Sequence, residues 1–163
     1  MTSTNTFDAN MSLYIPRCDT RSLPRHSTGM TLEEYEVEVA TFIGKQFRFQ
    51  KVGNVDRVDV VQKNTPDGFK FFIAFVHFKT WYDTERNREL QKKILDDKER
   101  AVLQFHEQWF WILNKNKNPM TVTEVELTKR LNEKEKEIED LQEAIKIHLR
   151  NMQYFQNFQN FQN

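Results

Sequence analysis

Cys18 is the only cysteine among 163 residues, so no disulfide can form within the chain and no thiolate set can hold zinc. Such usage points to a reducing, intracellular setting, with nucleus and cytoplasm not distinguished. Glycine and proline number only four each, which excludes collagen-like and linker-rich architectures. There is no glycine-rich loop to cradle a phosphate. No apolar run reaches the roughly 20 residues that cross a bilayer, and residues 1–10 are polar rather than signal-like, so no membrane partner is expected. Net charge is lacking too: 24 Lys and Arg balance 24 Asp and Glu, which gives no overall attraction for nucleic acid. The split along the chain is mild. Residues 11–118 carry 18 basic against 15 acidic groups, and residues 119–163 carry 6 against 8.

Candidate chemistry is equally sparse. Glu33-Glu34 and Asp96-Asp97 are explained by solvated helix surface, and His26, His77, His106 and His148 are scattered without ligand spacing. Cys18 fits a small residue at a strand end better than a nucleophile. No catalytic residue, metal site or cofactor is expected, and the chain is expected not to be an enzyme.

What the chain does have is aromatic residues, gathered in Phe69-Lys70-Phe71-Phe72-Ile73-Ala74-Phe75-Val76-His77-Phe78. This run is too short and too rich in aromatic and β-branched residues for anything but a strand. Alternation sends Ala74, Val76 and Phe78 to one face, and Phe71, Ile73, Phe75 and His77 to the other. Both faces are apolar, so the second must meet either protein or a ligand with flat rings.

Around it the chain divides as follows. Residues 1–10 read as a disordered leader. Ser12–Ile15 is a short strand ended by Pro16, and a loop over residues 16–30 holds Arg17, Arg21 and Arg25. Thr31 and Glu34 form a capping box for a helix from about Leu32 to Gln46. Val55–Lys63 alternates as a strand, and residues 64–68 turn the chain into the Phe-rich strand. Trp81–Asp96 reads as a second helix, followed by a small strand at 101–105 and a longer one at 109–113. The order β-α-β-β-α-β within residues 11–118 predicts an α+β, ferredoxin-like sandwich: a four-stranded antiparallel sheet with two helices on one face.

Two stretches of this order resemble the motifs of the RNA recognition motif (RRM) family. Leu13-Tyr14-Ile15-Pro16-Arg17-Cys18 is similar to the motif of its first strand, with Tyr14 at the stacking position. Residues 71–78 are similar to the eight-residue motif of its third strand, through Ala74, Phe75, Val76 and Phe78. The departures are Phe71 at the basic position, Phe72 at the glycine and Ile73 at the first aromatic. The resemblance spans residues 12–114 and implies a single-stranded RNA partner held on the sheet face. Tyr14 and Phe75 would then stack bases, with Ile73, Phe71 and His77 beside them. Lys70, Arg57, Lys63 and Arg17 would lie near phosphates. The last strand adds either Trp109, Trp111 and Leu113 or Phe110 and Ile112 to that face, depending on register; the tryptophans are favoured. The alternative is an adaptor whose face is covered by protein, either a partner or the chain's own tail helix.

Residues 119–152 change to Glu, Lys and Leu. Leu127, Leu131, Ile138, Leu141, Ile145 and Met152 fit a coiled-coil seam interrupted by Lys134 and His148. A homodimer or a protein partner through 121–152, and a single helix lying on the domain, are both open. Residues 153–163 repeat Phe-Gln-Asn and read as a disordered, low-complexity end.

Overall fold

The computed structural model describes residues 6–117, 119 and 122–162. They form a mixed α+β fold in two units, 1–119 and 120–163. The first unit contains strands β1 (Leu13–Asp19), β2 (Gly53–Asn64), β3 (Lys70–Trp81), β4 (Ala101–Gln104) and β5 (Phe110–Lys115), with helices α1 (Leu32–Phe49) and α2 (Glu85–Leu95). The strands make one five-stranded antiparallel sheet in the order β2-β3-β1-β5-β4. The expected small strand over 101–105 is therefore a fifth, edge member of the sheet.

Helix α1 starts where the sequence says it should. The Thr31 hydroxyl accepts from the Glu34 amide at 3.2 Å, and the Glu34 carboxylate accepts from the Thr31 amide at 2.8 Å. Tyr35, Val39, Ile43 and Phe47 then bury one stripe at four-residue spacing. Phe47 carries the helix one turn past the expected end at Gln46. The inner face of β3, with Phe72, Ala74, Val76 and Phe78, meets this stripe: Tyr35 lies edge-on to Phe72 and Phe47 edge-on to Phe78. At the start of β2, Gly53 is required by contact. A Cβ there would come within 2.6 Å of the Thr80 carbonyl oxygen.

Four expectations need correction. Pro16 does not end β1. The pairing with β3 shifts between Ile15 and Cys18, a bulge that needs no amide from proline, and the strand continues to Asp19. Trp81 belongs to the end of β3 rather than to the second helix; α2 begins behind the Thr84 cap, whose hydroxyl accepts from Asn87. The leader is tied down within the described residues. The Asp8 backbone exchanges hydrogen bonds with the Gln91 side chain at 2.9 and 2.7 Å, and the Ala9 carbonyl accepts from the Trp81 amide at 2.8 Å. The expectation for residues 1–5 lies outside the described residues.

The fourth correction concerns the end of the chain. Helix α3 spans Val122–Phe161, so the Phe-Gln-Asn repeat, expected to be disordered, is helical through Phe161. A three-residue repeat leaves Phe155, Phe158 and Phe161 as a slowly drifting stripe on one side of the helix. Among the described residues no helix is long and apolar enough to cross a membrane.

Candidate nucleic-acid interface

The outer sheet face is assembled by register. Tyr14 of β1 pairs directly with Phe75 of β3, and their rings stack with centroids 5.2 Å apart and planes at 26°. On the other side of β3, Arg57, Asp59, Val61 and Lys63 of β2 pair with His77, Phe75, Ile73 and Phe71 in turn. Phe71, Ile73, Phe75 and Tyr14 are all half-buried, so together they present one continuous apolar and aromatic surface. A shallow groove of about 880 Å³ runs from Tyr14, Ile73 and Phe75 past Asn114 to the end of α2, where Ile94, Leu95 and Asp97 face Lys115 and Lys117.

The bulge in β1 places a cation over Phe71. Ile15 and Cys18 both point inward, which leaves Pro16 and Arg17 between them on the outer side. The Arg17 guanidinium lies over the Phe71 ring, 5.1 Å from its centroid. Lys63, paired with Phe71, is exposed at this end of the face; Lys70 is exposed too, but at the start of β3 it is in phase with inward Phe72. Arg21 is differently placed: it holds Asp19 through two nitrogens at 3.0 and 2.8 Å and lies over the Trp109 ring at 5.6 Å. That Arg21 contact holds the Asp19 carboxyl at about 2, well below its ordinary range.

His77 sits in a hydrogen-bonded chain that sequence reasoning missed. The Asn116 amide lies 3.2 Å from the Ser12 hydroxyl, which lies 3.1 Å from His77 Nδ1. His77 Nε2 lies 3.0 Å from the Asp59 carboxylate, which also accepts from Arg57 Nε at 3.0 Å. The Asp59 contact calls for a proton on Nε2, and the single proton of the Ser12 hydroxyl then stands between two acceptors, Nδ1 and the Val76 carbonyl at 3.2 Å. Burial opposes ionisation of Asp59, yet the hydrogen bonds from His77 and Arg57 outweigh it and lower its pKa. The visible signal was the Arg57-x-Asp59 spacing, which places both side chains on one face of β2. Arg57 is thus committed to Asp59 instead of standing ready for a phosphate.

Serine, histidine and aspartate in contact also make up a nucleophilic relay. Here Ser12 is 7% exposed and its oxygen faces the Val76 carbonyl at 3.2 Å as well as Asn116. The Cys18 thiol is buried, and burial pushes its pKa up to about 12.

Trp111 is not part of this face. It is 1% exposed, stacked on Phe105 at 4.0 Å and packed against Phe42 and Phe47 of α1. The reason is register: core residue Leu13 pairs with Lys115, which fixes Leu113 and Trp111 in the inward phase. Phe110, 53% exposed, and half-buried Ile112 take the outer positions instead.

The chain matches no protein-family model, no curated protein and no solved structure. What this face can do therefore follows from its own geometry.

Proposed function

We propose that residues 11–118 form an RRM-type, ferredoxin-like domain that binds single-stranded RNA inside the cell and performs no catalysis. In this reading β1, β2, β3 and β5 are the four strands of the split βαβ arrangement, and β4 is an added edge strand. The observation that carries the proposal is the Tyr14–Phe75 pair, two half-buried rings stacked across the two central strands. Two consecutive bases stack there, each contributing roughly 1–3 kcal/mol. Ile73 adds an aliphatic contact, Arg17 and Phe71 hold the next base or its phosphate, and Lys63 and Lys70 meet the backbone.

The test is fluorescence anisotropy with a mixed single-stranded RNA at low salt. Tyr14→Ala or Phe75→Ala alone should weaken binding by about 5- to 150-fold, following the stacking energy per base. The double variant should abolish it while circular dichroism stays unchanged. No binding by the unmodified chain, or undiminished binding by the double variant, would sink the proposal. The adaptor reading draws support from exposed Val61 and Phe110 at the rim of the same face. It expects Val61→Glu to remove a protein ligand while RNA affinity stays absent throughout.

A further inference from the structure

We propose that α3 pairs with α3 of a second copy of the chain, as a parallel two-stranded coiled coil in register. The proposal stands independently of the RNA reading. It rests on an apolar seam of Leu127, Leu131, Ile138, Leu141, Ile145, Met152 and Phe155, all 48–74% exposed. With Lys134 and His148 filling the two gaps, the steps alternate strictly between four and three residues. That is a period of 3.5, which an isolated helix does not favour and a supercoiled partner of the same period requires. Helicity through Phe161 brings Phe155 into the seam and extends it past Met152. Among the described residues α3 is the one element of its unit, and the seam stands exposed.

The side chains choose the partner and its direction. One class of seam position holds Leu131, Ile138, Ile145 and Met152, the other Leu127, Lys134, Leu141, His148 and Phe155; the central Ile138-Leu141-Ile145 run, β-branched in the first class with leucine in the second, is the arrangement that favours two parallel strands. Flanking the seam, parallel register sets Arg130 of one copy beside Glu135 of the other, twice by symmetry. Reversing one helix about the midpoint of Leu127 and Met152 sets Arg130 against Asn151 and Glu135 against Gln142, with no charge pairing. Lys134, the costliest seam residue, already holds Glu137 of its own helix at 2.7 Å. In parallel register its stem also passes Glu135 of the second copy.

The test is sedimentation equilibrium of the full chain from about 1 to 100 µM, since a dimer responds to protomer concentration. A mass of twice 19.7 kDa is expected at the upper end. Leu141→Glu should return it to 19.7 kDa, and Lys136→Glu on the opposite side of the helix should not. Tryptophan fluorescence reports that the sheet unit stays folded, because Trp81, Trp109 and Trp111 all lie in it. Phe155→Cys fixes the direction: mild oxidation should link two copies through the introduced thiols, which are tens of ångströms apart in an antiparallel pair. A monomer throughout, as when the seam lies on its own domain, would overturn the proposal. So would a trimer, a dimer indifferent to Leu141→Glu, or a dimer that Phe155→Cys fails to link.

Discussion

Asp59 shows how much one carboxylate organises on the sheet face. It ties His77 and Arg57 together, and its pKa is lowered because those hydrogen bonds outweigh the cost of burial. A depressed carboxyl pKa stabilises the fold above the ordinary aspartate range near 4, and that contribution is lost as pH falls below it. Asp19, held at about 2 by Arg21, adds to the same acid-side loss. Thermal melts should therefore fall steeply below about pH 4, and Asp59→Asn should flatten part of that dependence. An unchanged acid limb in the variant would contradict the role given to Asp59. Cys18 behaves in the opposite sense. Its pKa is raised to about 12 by burial, so its contribution is complete below the free-thiol range and fades only as pH rises toward that value. At pH 8 the native chain should resist an aromatic disulfide reagent, and denaturant should release one reactive thiol. Trp111→Ala should cost about 3–5 kcal/mol in urea denaturation, the range for emptying a large aromatic site.

Among the elements, those whose residues speak with one voice were legible from sequence. The Thr31–Glu34 box and the Tyr35/Val39/Ile43 spacing place α1, and the alternation of β3 correctly sorts Ala74, Val76 and Phe78 from Ile73 and Phe75. The strand β5 was not legible, because Trp109 through Leu113 is apolar in both phases and only its pairing with β1 decides between them. Helix α2 misleads for a different reason. Its inward positions include Asn87 and Gln91, polar groups that no hydrophobic period reveals. Asn87 Nδ2 lies within 2.8–3.1 Å of the carbonyls of Lys51, Val52 and Tyr82, clamping the α1–β2 turn to the end of β3. Asn87→Ala should lower stability by about 1–3 kcal/mol by leaving buried carbonyls short of a donor. Chemical denaturation checks it, and a neutral result would contradict the clamp. The candidate site divides the same way. Tyr14, Phe75, Ile73 and Phe71 were readable from alternation, whereas the Asn116–Ser12–His77 chain joins strands that only the fold brings together.

At the scale of the whole molecule, the two proposals together imply a bivalent particle, with a binding face and a pairing helix on one chain. A second contact within the dimer then works at an effective concentration set by the linkage, raising affinity without new contacts. On a single-stranded RNA long enough to reach both faces, Leu141→Glu should weaken binding by about 100-fold, and on a short RNA it should change nothing. Equal losses on both lengths would mean that the helix contacts RNA itself. The face remains the central claim. Its most direct test is a titration of the isotope-labelled full chain with a short single-stranded RNA, followed by backbone amide and aromatic ring shifts. The expected result is a set of perturbations confined to residues 13–17 and 71–77 and to the rings of Tyr14 and Phe75. Shifts confined to α1, α2 or α3, or none at saturating RNA, would contradict it.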